Sequence, residues 1–151
     1  MNVLLSVILW MCLTASGTMT GKVVSISDGD TLIILIDGKK QERIRLMDID
    51  APEKNQPFSE KSKKYLSDMV AGRTVTLMYN GRDRYGRILG TVFIDGMNVN
   101  EEMVRVGLAW NYHFSKNKQL AELEADAKRK KLNIFSVPNP ISPYEYRKGK
   151  R

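Results

Sequence analysis

The first half of the chain alternates short runs of β-branched and aliphatic residues with turn-forming residues. Residues 22–27 and 31–36 are rich in Val and Ile and flank a D-G-D turn at 28–30, a combination typical of a β-hairpin. A second turn signal at 37–38 leads into residues 41–49, where polar and apolar side chains alternate. The pattern therefore predicts three consecutive strands.

A helix and two further strands follow. Apolar positions within residues 59–70 recur with helical spacing, Ser59 can cap the first turn, and Gly72 can end the helix. Residues 74–79 and 88–94 return to the strand pattern and are joined by a loop rich in Gly and Arg. Five strands are thus predicted.

The rest of the chain is helical and then basic. Asn98 or Asn100 can cap a short helix that ends at Gly107, and residues 120–132 have the pattern of a longer, amphipathic helix. The Pro-rich tail, residues 137–151, is expected to be an extended arm. Together the elements predict a mainly β protein with about three α-helices (α+β class), built as a five-stranded Greek-key barrel of the oligonucleotide-binding (OB) type.

The N-terminus has the pattern of a secretory signal peptide. Residues 3–13 are apolar apart from one Ser, too few for a membrane-spanning helix, and small residues follow at 15–17. We expect cleavage after Gly17 and a secreted or periplasmic protein. Two alternatives stay open: an uncleaved membrane anchor through residues 3–13, or an N-terminal helix buried against the core.

These features divide the chain into a signal peptide (1–17), a single domain (18–136) and the tail (137–151). Cys12 is the only cysteine, so the mature domain would contain no disulfide. Lys and Arg number 24 against 17 Asp and Glu, a net charge of +7. This charge favours a polyanionic partner, although a basic surface that serves only solubility would have the same composition.

Three motifs occur in a fixed order: D-G-D-T at 28–31, R-L-x-x-x-D-x-P-E at 45–53 and D-R-Y-G-R at 83–87. In these motifs the chain resembles the staphylococcal nuclease (thermonuclease) family, and the similarity extends in register over about residues 20–136. The resemblance implies an OB-fold, calcium-dependent nuclease. Such an enzyme hydrolyses DNA and RNA by metal-assisted in-line attack of water and leaves 3′-phosphate ends.

Phosphodiester hydrolysis needs a cation, hydrogen-bond donors for the phosphate oxygens and a base for the attacking water. Asp30 and Asp50 offer hard oxygen ligands that suit Ca²⁺, and no cluster of His or Cys residues favours zinc. The resemblance implies that Asp30, Asp50 and the backbone carbonyl of Ala51 bind the metal. It assigns Glu53 the role of general base.

Arginine suits the need for hydrogen-bond donors to the phosphate oxygens, because a guanidinium stays charged and donates paired hydrogen bonds to phosphate. The resemblance assigns Arg45 and Arg87 to the reacting phosphate, and Arg84 and Tyr85 to the nucleotide or a flanking phosphate of the substrate. Lysine at either of the first two positions is expected not to restore activity.

Asp28 and Thr31 flank Asp30 and are expected to support it without contacting the metal. A turn of this composition is more often purely structural, because Asp bonds its own backbone and Gly accepts positive φ. The presence of Asp50 and Glu53 favours the functional interpretation.

Strand alternation creates a geometric difficulty, since it places Arg45 and Asp50 on opposite faces of a straight strand. A shared site therefore requires a bend or bulge between Met47 and Ile49.

Aromatic residues follow the third motif. Trp110, Tyr112 and Phe114 can stack on bases, but alternating aromatics more often pack in the core. His113 is expected to be a surface residue.

Two functions other than a secreted enzyme are compatible with parts of the sequence. A non-catalytic nucleic-acid-binding barrel is disfavoured, because degenerate members of the family lose the carboxylates and arginines that this chain retains. A membrane-tethered nuclease requires only that residues 3–13 are kept. The resemblance implies a monomer, and no obligate protein partner is evident in the sequence.

Overall fold

Eight strands and four α-helices make up the part of the chain described by the computed structural model, residues 16–149. The strands are β1 (Ser16–Asp28), β2 (Thr31–Ile36), β3 (Lys40–Leu46), β4 (Ile49–Asp50), β5 (Thr74–Arg82), β6 (Ile88–Ile94), β7 (Met97–Asn98) and β8 (Trp110–Asn111). The helices are α1 (Ser59–Val70), α2 (Val99–Arg105), α3 (Lys118–Arg129) and α4 (Pro143–Gly149), with a 3-10 turn at Asn133–Ser136.

Five of the strands close into a barrel. Strands β3, β2, β1, β5 and β6 pair in that order, each pair antiparallel. Strand β3 then pairs in parallel with β6, from Ile44 opposite Ile88 to Leu46 opposite Gly90. This closure confirms the predicted five-stranded OB-fold barrel and the α+β class.

Aliphatic side chains fill the barrel because every second residue of each strand points inward. Leu32, Ile34, Ile44, Leu46 and Leu77 are fully buried. Helix α1 packs against β1, and α2 packs against β6 and α3. Each buried aliphatic side chain contributes about 1.5–3 kcal/mol relative to an exposed one. The core thereby fixes the strand ends from which the site is built.

The predicted bend between Met47 and Ile49 is confirmed. Strand β3 stops at Leu46, and the chain turns through Asp48, whose φ of 64° is in the left-handed region that Asp tolerates. Strand β4 then begins at Ile49 and pairs with β8 instead of continuing in the barrel. The bend returns Asp50 to the side occupied by Arg45.

Helix α1 has the predicted bounds, but its predicted cap is wrong. Phe58 occupies the cap position with a left-handed φ of 69° and makes no side-chain capping bond. The Ser59 hydroxyl instead donates to the Lys54 carbonyl at 2.9 Å. Asn98 does cap α2, where its side chain accepts from the backbone N–H of Glu101 at 3.0 Å.

The tail differs from the expected extended arm, because its last described part, Pro143–Gly149, is helix α4. The Ser142 hydroxyl accepts from the Glu145 N–H at 3.2 Å and begins the helix. Four α-helices therefore replace the three expected.

The predicted signal segment falls mostly on residues 1–15, outside the described residues. Ser16 and Gly17 belong to β1, where they pair with Asn80 and Tyr79 of β5. Cleavage after Gly17 would thus remove the first two residues of a strand, and the cleavage site stays a prediction. Within residues 16–149, no helix is both long and apolar enough to cross a membrane.

The turn between β1 and β2 depends on Gly29. A β-carbon at this position would overlap the Ser62 hydroxyl on α1 and the Ala51 methyl group. We expect Gly29→Ala to lower the free energy of unfolding by about 1–3 kcal/mol, the usual cost of overpacking, as measured by chemical denaturation. In the double variant with Ser62→Ala the cost should be smaller than the sum of the two single costs. Additive costs would contradict the close approach.

Candidate active site

An open cleft of about 790 Å³ lies where the β1–β2 turn, the β3–β4 bend and the β5–β6 loop meet. Every predicted site residue except the buried Thr31 lines it: Asp28, Asp30, Arg45, Asp50, Ala51, Glu53, Arg84, Tyr85 and Arg87. The fold therefore brings three motifs that are distant in sequence into one place.

Asp30 is buried at the start of β2 and is held by several donors. Its Oδ1 accepts from the Thr31 hydroxyl at 3.1 Å, and its Oδ2 accepts from the Ala51 N–H at 2.7 Å. The Asp28 carboxylate accepts from the Asp30 N–H at 3.0 Å, so both Asp28 and Thr31 form hydrogen bonds with Asp30. Burial raises the pKa of Asp30 to about 7, against the opposing effect of Arg45.

Asp50 is the second buried carboxylate, at 3% exposure. Burial raises its pKa, Arg147 and Arg45 oppose the rise, and the charge of Asp30 adds to it. The Nη2 atom of Arg45 lies 3.3 Å from Asp30 Oδ2 and 3.4 Å from Asp50 Oδ1. One guanidinium is therefore shared by two anions that burial destabilises.

Arg45 also holds the chain at the bend. Its Nη1 donates to the backbone carbonyls of Leu46 at 2.6 Å and Ile49 at 2.8 Å. This role was not foreseen in the sequence, which indicated only a phosphate contact. Arg45 thus links the end of β3 to β4, the strand that carries Asp50.

Arg87 is oriented by Asp83, a residue of the third motif for which the sequence indicated no role. Asp83 Oδ2 accepts from Arg87 Nε at 2.7 Å, and its Oδ1 accepts the backbone N–H groups of Tyr85 and Arg87 at 2.9 and 3.0 Å. Burial raises the pKa of Asp83, but the bonds from Arg87 outweigh it and hold the pKa below its usual value. Arg87 Nη1 reaches the Thr31 hydroxyl at 3.5 Å.

Arg84 and Tyr85 lie at the rim of the cleft. Tyr85 is 65% exposed, and its hydroxyl accepts from Arg84 Nη2 at 2.8 Å. The Arg84 and Arg87 guanidinium carbons lie 4.9 and 5.5 Å from the Tyr85 ring centre. The loop presents two cations and one aromatic face toward the opening.

Glu53 has a partner that the sequence did not reveal. Its side chain is 39% exposed, and Oε1 accepts from Arg147 Nη1 of helix α4 at 2.7 Å. Arg147 also binds both oxygens of Asp50, and these bonds raise the pKa of Arg147 above its usual value. The only signal in the sequence is the basic composition of the tail, which marks no single residue.

The donor set fits a hard cation. Asp30 and Asp50 would supply carboxylate oxygens and Ala51 its backbone carbonyl, while the Ala51 N–H donates to Asp30. Across residues 16–149 no three His, Cys, Asp or Glu side chains form a ready-made cage. Water or substrate oxygens would complete the coordination, as oxygen-ligated cations allow.

The aromatic residues after α2 divide between the edge of the core and the surface. Trp110 packs edge-on against Phe135, with ring centres 4.9 Å apart, whereas Phe114 is 63% exposed. His113 is exposed as expected, but it stacks on Tyr144 of α4 at 4.1 Å.

Residues 43–137 match the family described as staphylococcal nuclease homologue. The chain belongs to the staphylococcal nuclease family. An "uncharacterized endonuclease" from Escherichia coli is 46% identical over 132 residues, 86% of each protein. A "micrococcal nuclease" from Shigella flexneri is 34% identical over 158 residues, 97% of this chain and 90% of the relative. The Arabidopsis thaliana "staphylococcal-like nuclease CAN1" is 38% identical over 113 residues, 74% of this chain and 35% of the relative.

Staphylococcal nucleases are metal-dependent, and membership of the family makes this chain a nuclease, a hydrolase that acts on nucleic acid. The recognition made on the three motifs is confirmed. The residue roles inferred from the resemblance stay predictions.

The bonds of Arg45 to two carbonyls predict a cost in stability. Lysine keeps the charge but lacks the fork of donors, so Arg45→Lys should lower the free energy of unfolding by about 1.5–3 kcal/mol, the range for hydrogen bonds to charged groups. Urea denaturation measures it. The matched control is Arg43→Lys, exposed on the same strand. Equal stability of the two variants would show that the bend does not depend on the guanidinium.

The contact between Asp83 and Arg87 predicts a loss of activity through misorientation. Asp83→Asn should slow DNA cleavage by about 10- to 100-fold, because small displacements of a catalytic group have effects of this order. Initial rates measure the effect. In an Arg87→Ala background the same change should add little further loss. A full additional loss there would mean that Asp83 does not act through Arg87.

Proposed function

We propose that this nuclease is a Ca²⁺-dependent endonuclease that hydrolyses phosphodiester bonds of DNA and RNA and leaves 3′-phosphate ends. The observation that carries the proposal is the convergence of two buried carboxylates, a solvent-accessible carboxylate and two guanidinium groups in one cleft. The net charge of +7 adds a general attraction for nucleic acid.

Asp30, Asp50 and the carbonyl of Ala51 would hold Ca²⁺. A bound Ca²⁺ would offset the negative charge of the phosphate and lower the pKa of a water molecule. Burial disfavours the ionised form of both carboxyl groups, and a cation bound to them would stabilise that form. Asp28 and Thr31 keep Asp30 in place through the bonds described above.

The remaining residues would divide the reaction between them. Glu53 accepts a proton from the attacking water, whose oxygen forms a bond to phosphorus while the bond to the 5′ oxygen breaks. The 5′ oxygen leaves as a hydroxyl after taking a proton from solvent, and the phosphate stays on the 3′ side. Arg45 and Arg87 stabilise the charge on the phosphate oxygens. Arg84 and Tyr85 contact the neighbouring nucleotide.

We also propose that the protein acts outside the cytoplasm, as a secreted or periplasmic monomer. The apolar residues 3–13 followed by small residues support export. The intact mass of the protein recovered from culture medium or periplasm would distinguish a mature chain from one that retains its N-terminal segment in the membrane.

The decisive variants are Glu53→Gln and Arg87→Ala. Loss of a general base typically costs about 10²–10⁴ in rate, and loss of one charge-stabilising donor about 10²–10³. We expect such losses for single-stranded and duplex DNA and for RNA, measured in Ca²⁺. Chelation by EGTA should abolish cleavage by the unmodified protein.

Exposed residues of the same types provide controls, namely Glu122→Gln on α3 and Arg43→Ala on β3. Both should retain full activity. Cleavage that survives EGTA would refute the calcium requirement. Binding of nucleic acid without cleavage by the unmodified protein would instead support the non-catalytic barrel.

A further inference from the structure

The C-terminal helix carries a guanidinium into the cleft. Arg147 Nη1 and Nη2 lie 3.2 and 2.9 Å from Oδ1 and Oδ2 of Asp50, a two-pronged contact. Nη1 also lies 2.7 Å from Oε1 of Glu53. Arg147 therefore binds the proposed metal ligand on β4 and the proposed general base at the same time.

The segment that carries Arg147 contacts two loops, one before α1 and one after β8. Gln56, which is 8% exposed, donates from Nε2 to the Ile141 carbonyl at 2.9 Å. The Tyr144 ring stacks on His113 with centres 4.1 Å apart and an interplanar angle of 6°. The Phe114 and Tyr144 rings form a T-shaped pair with centres 5.4 Å apart. We call residues 137–149 the strap, because they attach at these points and place Arg147 in the cleft.

The docked strap is incompatible with the working site. Both carboxylate oxygens of Asp50 face the guanidinium, and Glu53 Oε1 already accepts one of its hydrogens. A guanidinium stays charged at all accessible pH values, so it cannot give way by losing its proton. A divalent cation bound to Asp50 would meet a like charge at hydrogen-bonding distance.

Charge balance leads to the same conclusion. With Arg147 withdrawn, the carboxylates of Asp30, Asp50 and Glu53 together with Arg45 have a formal charge of −2, which one divalent cation offsets. When Arg147 is docked and is counted with these four residues, the formal charge is −1. The strap thus partly supplies the counter-charge that the metal would otherwise bring.

We propose that the strap is an autoinhibitory element, in which Arg147 occupies the oxygens of the metal ligand Asp50 together with the general base Glu53, and Ca²⁺ binding releases it. The inference rests on the proposed calcium-dependent function. The docked form must open before the cation binds, so the apparent dissociation constant rises by a factor of one plus the ratio of closed to open molecules. The 42% exposed arginine side chain favours local opening without loss of the barrel.

The test compares Ca²⁺ binding by calorimetry in the unmodified full chain and three variants. Arg147→Gln removes the contact, and Tyr144→Ala loosens the strap without changing the charge. Lys54→Gln, an exposed residue beside Glu53, is the control for loss of one positive charge near the site. We expect Ca²⁺ affinity to increase on the order of tenfold in the first variant, within the usual range of coupling between sites. Affinity should increase in the second and change little in the third.

Hydrogen exchange of residues 143–149 supplies a readout that does not depend on activity. Exchange should accelerate in Arg147→Gln without metal, and in the unmodified protein when Ca²⁺ is added. Equal Ca²⁺ affinity in all four proteins would refute the autoinhibitory role of the strap and leave the proposed calcium dependence intact. Weaker affinity in Arg147→Gln would also refute it, since Arg147 would then help to build the site. Absence of Ca²⁺ binding in every protein would overturn both the proposed cofactor and the proposed competition between Ca²⁺ and Arg147 for Asp50.

Discussion

One guanidinium shared by two buried carboxylates is the interaction on which the site depends. Arg45 lies within 3.4 Å of both Asp30 and Asp50, in an interior where charges interact several times more strongly than in water. Burial raises the pKa values of both carboxyl groups, and the single positive charge of Arg45 does not fully offset that effect. The fold therefore retains an electrostatic demand for a further cation, which is the property a metal-dependent nuclease requires.

The barrel supplies the rigidity that holds these like charges together. The parallel pairing that closes the barrel ends at Leu46 and Gly90, and the bend toward Asp50 begins at the next residue. Asn100 secures that point, because its side chain donates to the Met47 and Gly90 carbonyls at 3.0 and 3.1 Å. Closure of the barrel and placement of the second carboxylate are thus one structural feature.

The sequence correctly predicted the features that depend on neighbouring residues, such as strand alternation and turns. Strand alternation conflicted with a shared site for Arg45 and Asp50, and that conflict located the bend correctly. The same rules could not indicate that Phe58 would adopt a left-handed conformation and displace Ser59 as the cap, because the reason lies in packing. Nor could they distinguish Arg147 from its basic neighbours, since its partner Glu53 is 94 positions away. Contacts of that range depend on tertiary structure alone.

The strap and a divalent cation are two solutions to the same electrostatic problem. A buried anion without a partner is costly, and removing one member of a buried ion pair typically destabilises a protein by about 3–5 kcal/mol. Arg147 lowers that cost at Asp50 while no metal is bound, so the carboxylate can stay 3% exposed in a folded chain. The contact that stabilises the metal-free site necessarily opposes metal binding, because both use the same oxygens. Stability without the metal and restraint of activity are therefore two consequences of one ion pair.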